Sequence, residues 1–143
     1  INLYSQDALI NTYDNTSAFT DSVINQAINL LKNYEAQYDT SLIYLSNHGE
    51  SLGENNIYLH AMPCAIAPAE QTHVPLLLWF SEQYQKQQAI DKGCLAQKAK
   101  NQHFSHDNLF HSLLGLFNVK TKEYIPQLDL SNGCRIVNNN GLN

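Results

Sequence analysis

Two short apolar runs decide what this chain can fold into, and each has a histidine at its edge. Leu42, Ile43, Tyr44 and Leu45 have the length and composition of a strand buried on both faces. The run stops on a cluster of oxygen and imidazole donors: Ser46, Asn47, His48, Gly49 and Glu50, with His60 twelve residues beyond His48. The second run, residues 74–80 (VPLLLWF), follows His73 and carries Pro75 near its start, where a strand tolerates proline. In open α/β sheets, ligands bind beyond the carboxyl ends of the strands. The donor cluster stands at such a place, and its composition suggests a metal-assisted phosphoryl site.

Imidazole and carboxylate are the usual ligands of a catalytic zinc, which keeps one position open for water or substrate. Neighbouring ligands at a strand end can both turn toward one ion, because the chain leaves extended geometry there. Gly49 fits a tight turn in which a side chain would obstruct metal or substrate. His60 returns after a loop rich in Gly, Glu and Asn and can reach the same pocket from its rim. Spacing alone leaves each histidine open between a ligand and a satisfied structural group. Glu50 and Glu54 read as structural residues that cap turns or meet basic groups.

The remaining chain supplies ordinary globular material. A length of 143 residues is enough for one domain with its own core, and 43% hydrophobic with 15% charged residues excludes disorder. A net charge of −5 and the lack of a basic run interleaved with aromatics argue against nucleic-acid binding. No apolar segment approaches the ~20 residues that cross a bilayer, and the opening Ile1, Asn2, Leu3 does not read as a signal peptide.

Residues 2–38 read as mostly helical. Val23, Ile24, Ala27, Ile28, Leu30 and Leu31 recur at helical spacing, with Thr20 or Asp21 as the cap. A helix feeding a buried strand is half of a parallel βαβ-type unit. Pro63 and Pro68 punctuate an irregular stretch over residues 61–72, and His73 at the strand entry is open between contacting the site and a surface or structural role, the latter being the commoner for such a position. Residues 82–88 suit a short surface helix, and residues 91–102 a solvated basic segment with Lys92, Lys98 and Lys100. Ser105 caps a helix over residues 105–119 whose apolar face is Leu109, Phe110, Leu113, Leu114 and Phe117. His106 and His111, five apart, do not share a helix face, so they do not form a joint metal site. Beyond Lys120 the chain is turn-rich, with a frayed tail at 138–143. The fold class expected is α/β: part of a mostly parallel sheet with helices on both faces.

The string SNHGESLGENNIYLH, followed by PCAIAPAEQTHVPLLLW, resembles the SDHGESLGE segment of the phosphoethanolamine transferases that modify lipid A. That family includes the mobile colistin-resistance enzymes and belongs to the alkaline-phosphatase and sulfatase superfamily. The likeness continues through SHDNLFHSLLGLFNVKTKEY and, earlier, through INTYDNTSAFTDSVINQAINLL, so it covers nearly the whole chain. Residues 1–143 are thereby identified as the C-terminal portion of a periplasmic catalytic domain.

The resemblance implies an activity and its parts. In this family a zinc is held by a Glu, the nucleophilic Thr, an Asp and the His after that Asp; the last two fall on Asn47 and His48. The family's later histidine, for phosphate or a second metal, falls on His60. Asn47 departs from the pattern: an amide oxygen is neutral, so a dication loses one negative charge of compensation and a weaker site follows. A degenerate copy, an altered residue and a tolerant site of reduced affinity are all compatible with that departure. The nucleophilic Thr and the membrane anchor belong to the missing upstream part, and Thr12, Thr16 and Thr20 match a later, helical region. The expected reaction moves phosphoethanolamine from phosphatidylethanolamine to a lipid A phosphate through a covalent phospho-Thr, at the periplasmic face of the bacterial inner membrane. A related sulfatase or phosphodiesterase, or a truncated domain without activity, are the rival expectations. A periplasmic setting permits disulfides, and Cys94 with Cys134 is the preferred pair, leaving Cys64 unpaired or bonded to the missing part.

Overall fold

The computed structural model describes residues 5–60, 62–63 and 65–136. Cys64, the first residues of the expected N-terminal helix and the expected frayed tail lie outside the described residues. The chain divides into two compact units, Ile1–Ser81 and Glu82–Asn143.

The first unit opens with helix α1, Gln6–Lys32. Its cap is Ser5, whose hydroxyl accepts from the Ala8 amide at 3.2 Å, and Asp7 in the first turn suits the positive end of the helix dipole. Thr20, expected as a cap, instead sits in mid-helix. Thr12, Thr16 and Thr20 each donate their hydroxyl to the carbonyl four residues earlier, at 2.8, 2.9 and 3.0 Å. This back-bonding lets a hydroxyl-bearing residue continue a helix that it would otherwise start. Ile24, Ala27, Ile28 and Leu31 form the half-buried stripe, and α1 lies against the strands that follow it. Phe19 and Leu30 remain 69% and 57% exposed, so much of the apolar surface of α1 is uncovered.

Strand β1, Ser41–Leu45, pairs with β4, Leu76–Phe80, and all five β1 residues are half-buried rather than enclosed on both faces. The pairing is antiparallel, with Leu45 opposite Leu76 and Ser41 opposite Phe80. A mostly parallel sheet was the expectation, and both described strand pairs are antiparallel instead. The physical reason lies in the connection. A parallel return needs a crossover that carries the chain to the far end of the sheet, usually a full helix. Here the described residues of 46–75 contain one α-helical turn, α2 (Ala69–Thr72), a 3-10 turn at Glu54–Asn56, and a small hairpin of β2 (Ser51–Leu52) and β3 (Tyr58–Leu59). The chain therefore comes back to the end it left. Gly53, Asn55 and Asn56, all with positive φ, make the tight reversal between β2 and β3.

The second unit contains α3 (Glu82–Gln87), α4 (Lys92–Asn101) and α5 (Asp107–Leu116). Asp91 caps α4 by accepting from the Cys94 amide, and the Cys94–Cys134 disulfide, as expected, ties that helix to the end of the unit. Lys98 is not a solvated charge: its ammonium donates to the carbonyls of Leu130 and Asn132. Ser105, expected as the cap of α5, stands one residue ahead of the N-cap His106; its hydroxyl accepts from the Asp107 amide while its own amide donates to Asn108 Oδ1 at 2.8 Å.

The buried side of α5 corrects its expected apolar face. Asn108, His111, Ser112 and Leu116 are buried, whereas Phe110 and Phe117 are 55% and 68% exposed. Each buried polar group finds a partner in the 125–130 segment. Asn108 donates to the Leu128 carbonyl, His111 Nδ1 accepts from the Ile125 amide, and the Ser112 hydroxyl accepts from the Leu130 amide. Satisfied hydrogen bonds make a polar helix face tolerable inside. Among the described residues no helix is long and apolar enough to cross a membrane.

Candidate metal centre

The site is built entirely from residues between the paired ends of β1 and β4. Leaving β1, the chain bends at Ser46 and Asn47, and the Ser46 hydroxyl donates to the His48 carbonyl at 2.8 Å. The Gly49 amide donates to the Gln71 carbonyl at 2.9 Å, which brings the turn against α2. Gly49 was expected to spare room for metal or substrate. The neighbour that excludes a side chain is instead the backbone of Glu70, whose carbonyl carbon lies 3.0 Å from where a Cβ would stand.

His48 and His60 come together. Their rings stack with centroids 3.9 Å apart and planes inclined by 28°. His48 Nδ1 lies 2.9 Å from the Gly49 carbonyl oxygen, which can only accept, so Nδ1 is the donor of this contact and Nε2 is the nitrogen that a neutral ring can offer to a metal. His60 Nδ1 lies 3.0 Å from a Glu50 carboxylate oxygen, and the same logic frees its Nε2. A carboxylate holding the far nitrogen of a histidine is the arrangement that orients metal-binding imidazoles. Donor atoms of His48, Glu50 and His60 all lie within 4.8 Å of one another, close enough to hold one ion. The His60 side chain is 48% exposed, so the site opens on solvent.

Of the residues singled out from sequence, His48 and His60 thus converge, and Asn47 sits exposed on the bend beside His48. Glu50, read as structural, proves to be part of the cluster. Glu54 does keep a structural role, accepting from the Leu52 amide at 2.7 Å. His73 is exposed at the C-cap of α2 and is not one of the three converging donors.

The strain at the site falls on Leu59, which holds φ 65° immediately before His60. A bulky residue in the left-handed region costs on the order of 1–3 kcal/mol and persists only when its surroundings enforce it. The enforcing group is Gln71, 6% exposed, which sequence inspection passed over. Its amide nitrogen donates to the Leu59 carbonyl at 3.1 Å and to the Ser51 hydroxyl at 2.9 Å. A glutamine in a polar stretch gives no sequence sign of burial; the only signal was its place in a single helical turn just before a strand.

Known proteins resemble this chain in sequence and in fold. The sulfatase family model matches residues 2–119. Phosphoethanolamine transferase EptA of Escherichia coli (strain K12) is 53% identical over 133 residues, 93% of this chain and 24% of that protein. The integral membrane protein lipooligosaccharide phosphoethanolamine transferase A from Neisseria meningitidis superposes with a TM-score of 0.89 at 42% identity, over 94% of this chain and 25% of its own. The C-terminal periplasmic domain of phosphoethanolamine transferase EptC from Campylobacter jejuni gives 0.78 at 49% identity, over 94% of this chain and 41% of its own. The chain spans about a quarter of the length of the curated relatives it matches. With a family match over most of its length and these relatives beside it, the chain belongs to the sulfatase family, on the branch of the phosphoethanolamine transferases.

Proposed function

We propose that this chain carries one side of a zinc-dependent site that transfers phosphoethanolamine from phosphatidylethanolamine to a phosphate of lipid A. The observation that supports it most directly is the stacked His48–His60 pair, with Nε2 of both rings left free by their Nδ1 hydrogen bonds. Two imidazoles and a carboxylate suit a borderline dication such as zinc. His48 and Asn47 are its ligands from this chain; His60, oriented by Glu50, receives phosphate oxygens or a second ion. A bound zinc supplies Lewis-acid polarisation at phosphoryl oxygen.

The domain reading rests on the family resemblance, and partial coverage of the relatives supports it. Residues 1–143 form the C-terminal portion of a larger periplasmic catalytic domain, and the nucleophilic Thr and membrane anchor come from the part of the relatives that this chain does not span. Exposed Phe19 on α1, and Phe110 and Phe117 on α5, support further protein packed against each of these helices in its own unit. The Cys94–Cys134 disulfide supports an oxidising compartment such as the periplasm. Partners are the two lipids at the membrane face, with no role for nucleic acid, which a net charge of −5 opposes.

A second reading, a degenerate domain without activity, is favoured by Asn47, which removes a negative charge from the ligand set. Zinc titration of the chain decides between them. Binding that disappears in His48→Ala is the result expected of the transferase half-site. Equal zinc content in the parent and His48→Ala overturns the ligand assignment, and no binding by the parent chain supports the degenerate domain.

A further inference from the structure

We propose that Gln71 is the positioning residue that sets the spacing of His48 and His60, which deepens the metal-site reading above and rests on it for its functional meaning. The inference starts from how one residue reaches both histidines. The Gln71 backbone carbonyl accepts from the Gly49 amide at 2.9 Å, fixing the residue that follows His48 and whose carbonyl receives the His48 Nδ1 proton. The Gln71 side chain takes the other side. Its nitrogen donates to the Leu59 carbonyl, and its oxygen accepts from the Met62 amide at 3.3 Å, so the amide grips the chain before and after His60. A third bond, to the Ser51 hydroxyl, joins the strand leading away from Glu50, and Ser51 is 1% exposed.

The Gln71 side chain is thus hydrogen-bonded on both flanks of His60. The β2–β3 hairpin has only two residues per strand, too short to hold its own geometry in water. Leu59 stands in the left-handed region at the point where Gln71 holds its carbonyl. Without the amide, the hairpin end relaxes and carries His60 away from His48, while β1, β4 and α1 keep their own contacts. Gln71 touches no substrate; it acts through the two imidazoles, as outer-shell groups do at metal sites.

Two variants of the full chain separate the hydrogen bonds from packing: Gln71→Leu, which fills similar volume without polar atoms, and Gln71→Glu, which keeps shape but loses both donors. The first readout is metal-free: nuclear Overhauser contacts between the His48 and His60 rings, present in the parent and lost in both variants, with far-UV circular dichroism unchanged. The second is competition titration with zinc, weakened tenfold or more in both variants. Ser112→Ala, which destabilises the other unit, serves as the control and leaves ring contacts and zinc affinity as in the parent. Ring contacts that persist in folded Gln71→Leu and Gln71→Glu overturn the proposal, as does loss of the contacts in the Ser112→Ala control. If the parent chain binds no zinc but the ring contacts vanish in both variants, the positioning role stands and the metal reading above falls.

Discussion

Gly49 packs its α-carbon against the carbonyl of Glu70, with no room between them for a methyl group. The contact joins the turn after His48 to α2, beside the Gly49–Gln71 backbone bond. Gly49→Ala must push the two segments apart, and overpacking of this kind costs about 1–3 kcal/mol. The expected outcome is a lower urea midpoint together with weaker zinc binding. A variant with both values unchanged contradicts the close approach.

Asn47 offers the cleanest gain of function. Replacing its neutral amide by carboxylate restores one negative charge beside His48, and Asn47→Asp should tighten zinc roughly tenfold, about 1.4 kcal/mol. Competition titration of the two proteins side by side checks it. Equal affinity removes position 47 from the ligand set.

Tyr124 carries the pH prediction. Burial and then the 2.7 Å hydrogen bond to Asp129 push its phenol up from 10.0 to about 12. The folded chain therefore holds this proton more tightly than the unfolded chain. The stabilisation is fully present below pH 10 and is lost as pH rises toward about 12. Urea midpoints should fall across that window in the parent, and the fall should shrink in Tyr124→Phe. Phenolate absorbance gives the titration directly.

Ser112 tests the polar interior of α5. Its hydroxyl donates to the Asn108 carbonyl at 2.6 Å and accepts from the Leu130 amide at 2.9 Å. Ser112→Ala leaves a buried amide without a partner, which costs about 1–3 kcal/mol. The measurement is the shift in urea unfolding free energy. A change within experimental error means that the Leu130 amide has found another acceptor.

Much of the site was legible because its signals are local. The apolar run 42–45 became β1, and the run 74–80 became β4 once Pro75 is set aside as the residue before it. His48 and His60 could be linked through the donor-rich loop between them, and Cys94 with Cys134 through the setting that the family resemblance supplied. What escaped depends on distant partners. Strand direction is decided by the path of residues 46–75, whose single short helix cannot be weighed against a full crossover by composition. The inward face of α5 follows its hydrogen-bond partners at 125–130, which outweigh the apolar spacing of Phe110, Leu113 and Phe117. Thr20 and Ser5 are both good caps by type, and only the helix already running through Thr12 and Thr16 distinguishes them.

The antiparallel return of β4 onto β1 has a consequence for how the donors are held. Leu45 and Leu76 face each other, so the segment that carries His48, Glu50 and His60 departs from and rejoins the sheet at one doorway. The excursion is not self-sufficient, however: β2 lies against α1, so stem and helix together define where it sits. Within it, Gln71 bonds to the turn after His48 and to the chain on either side of His60, so the two imidazoles are tied to one residue.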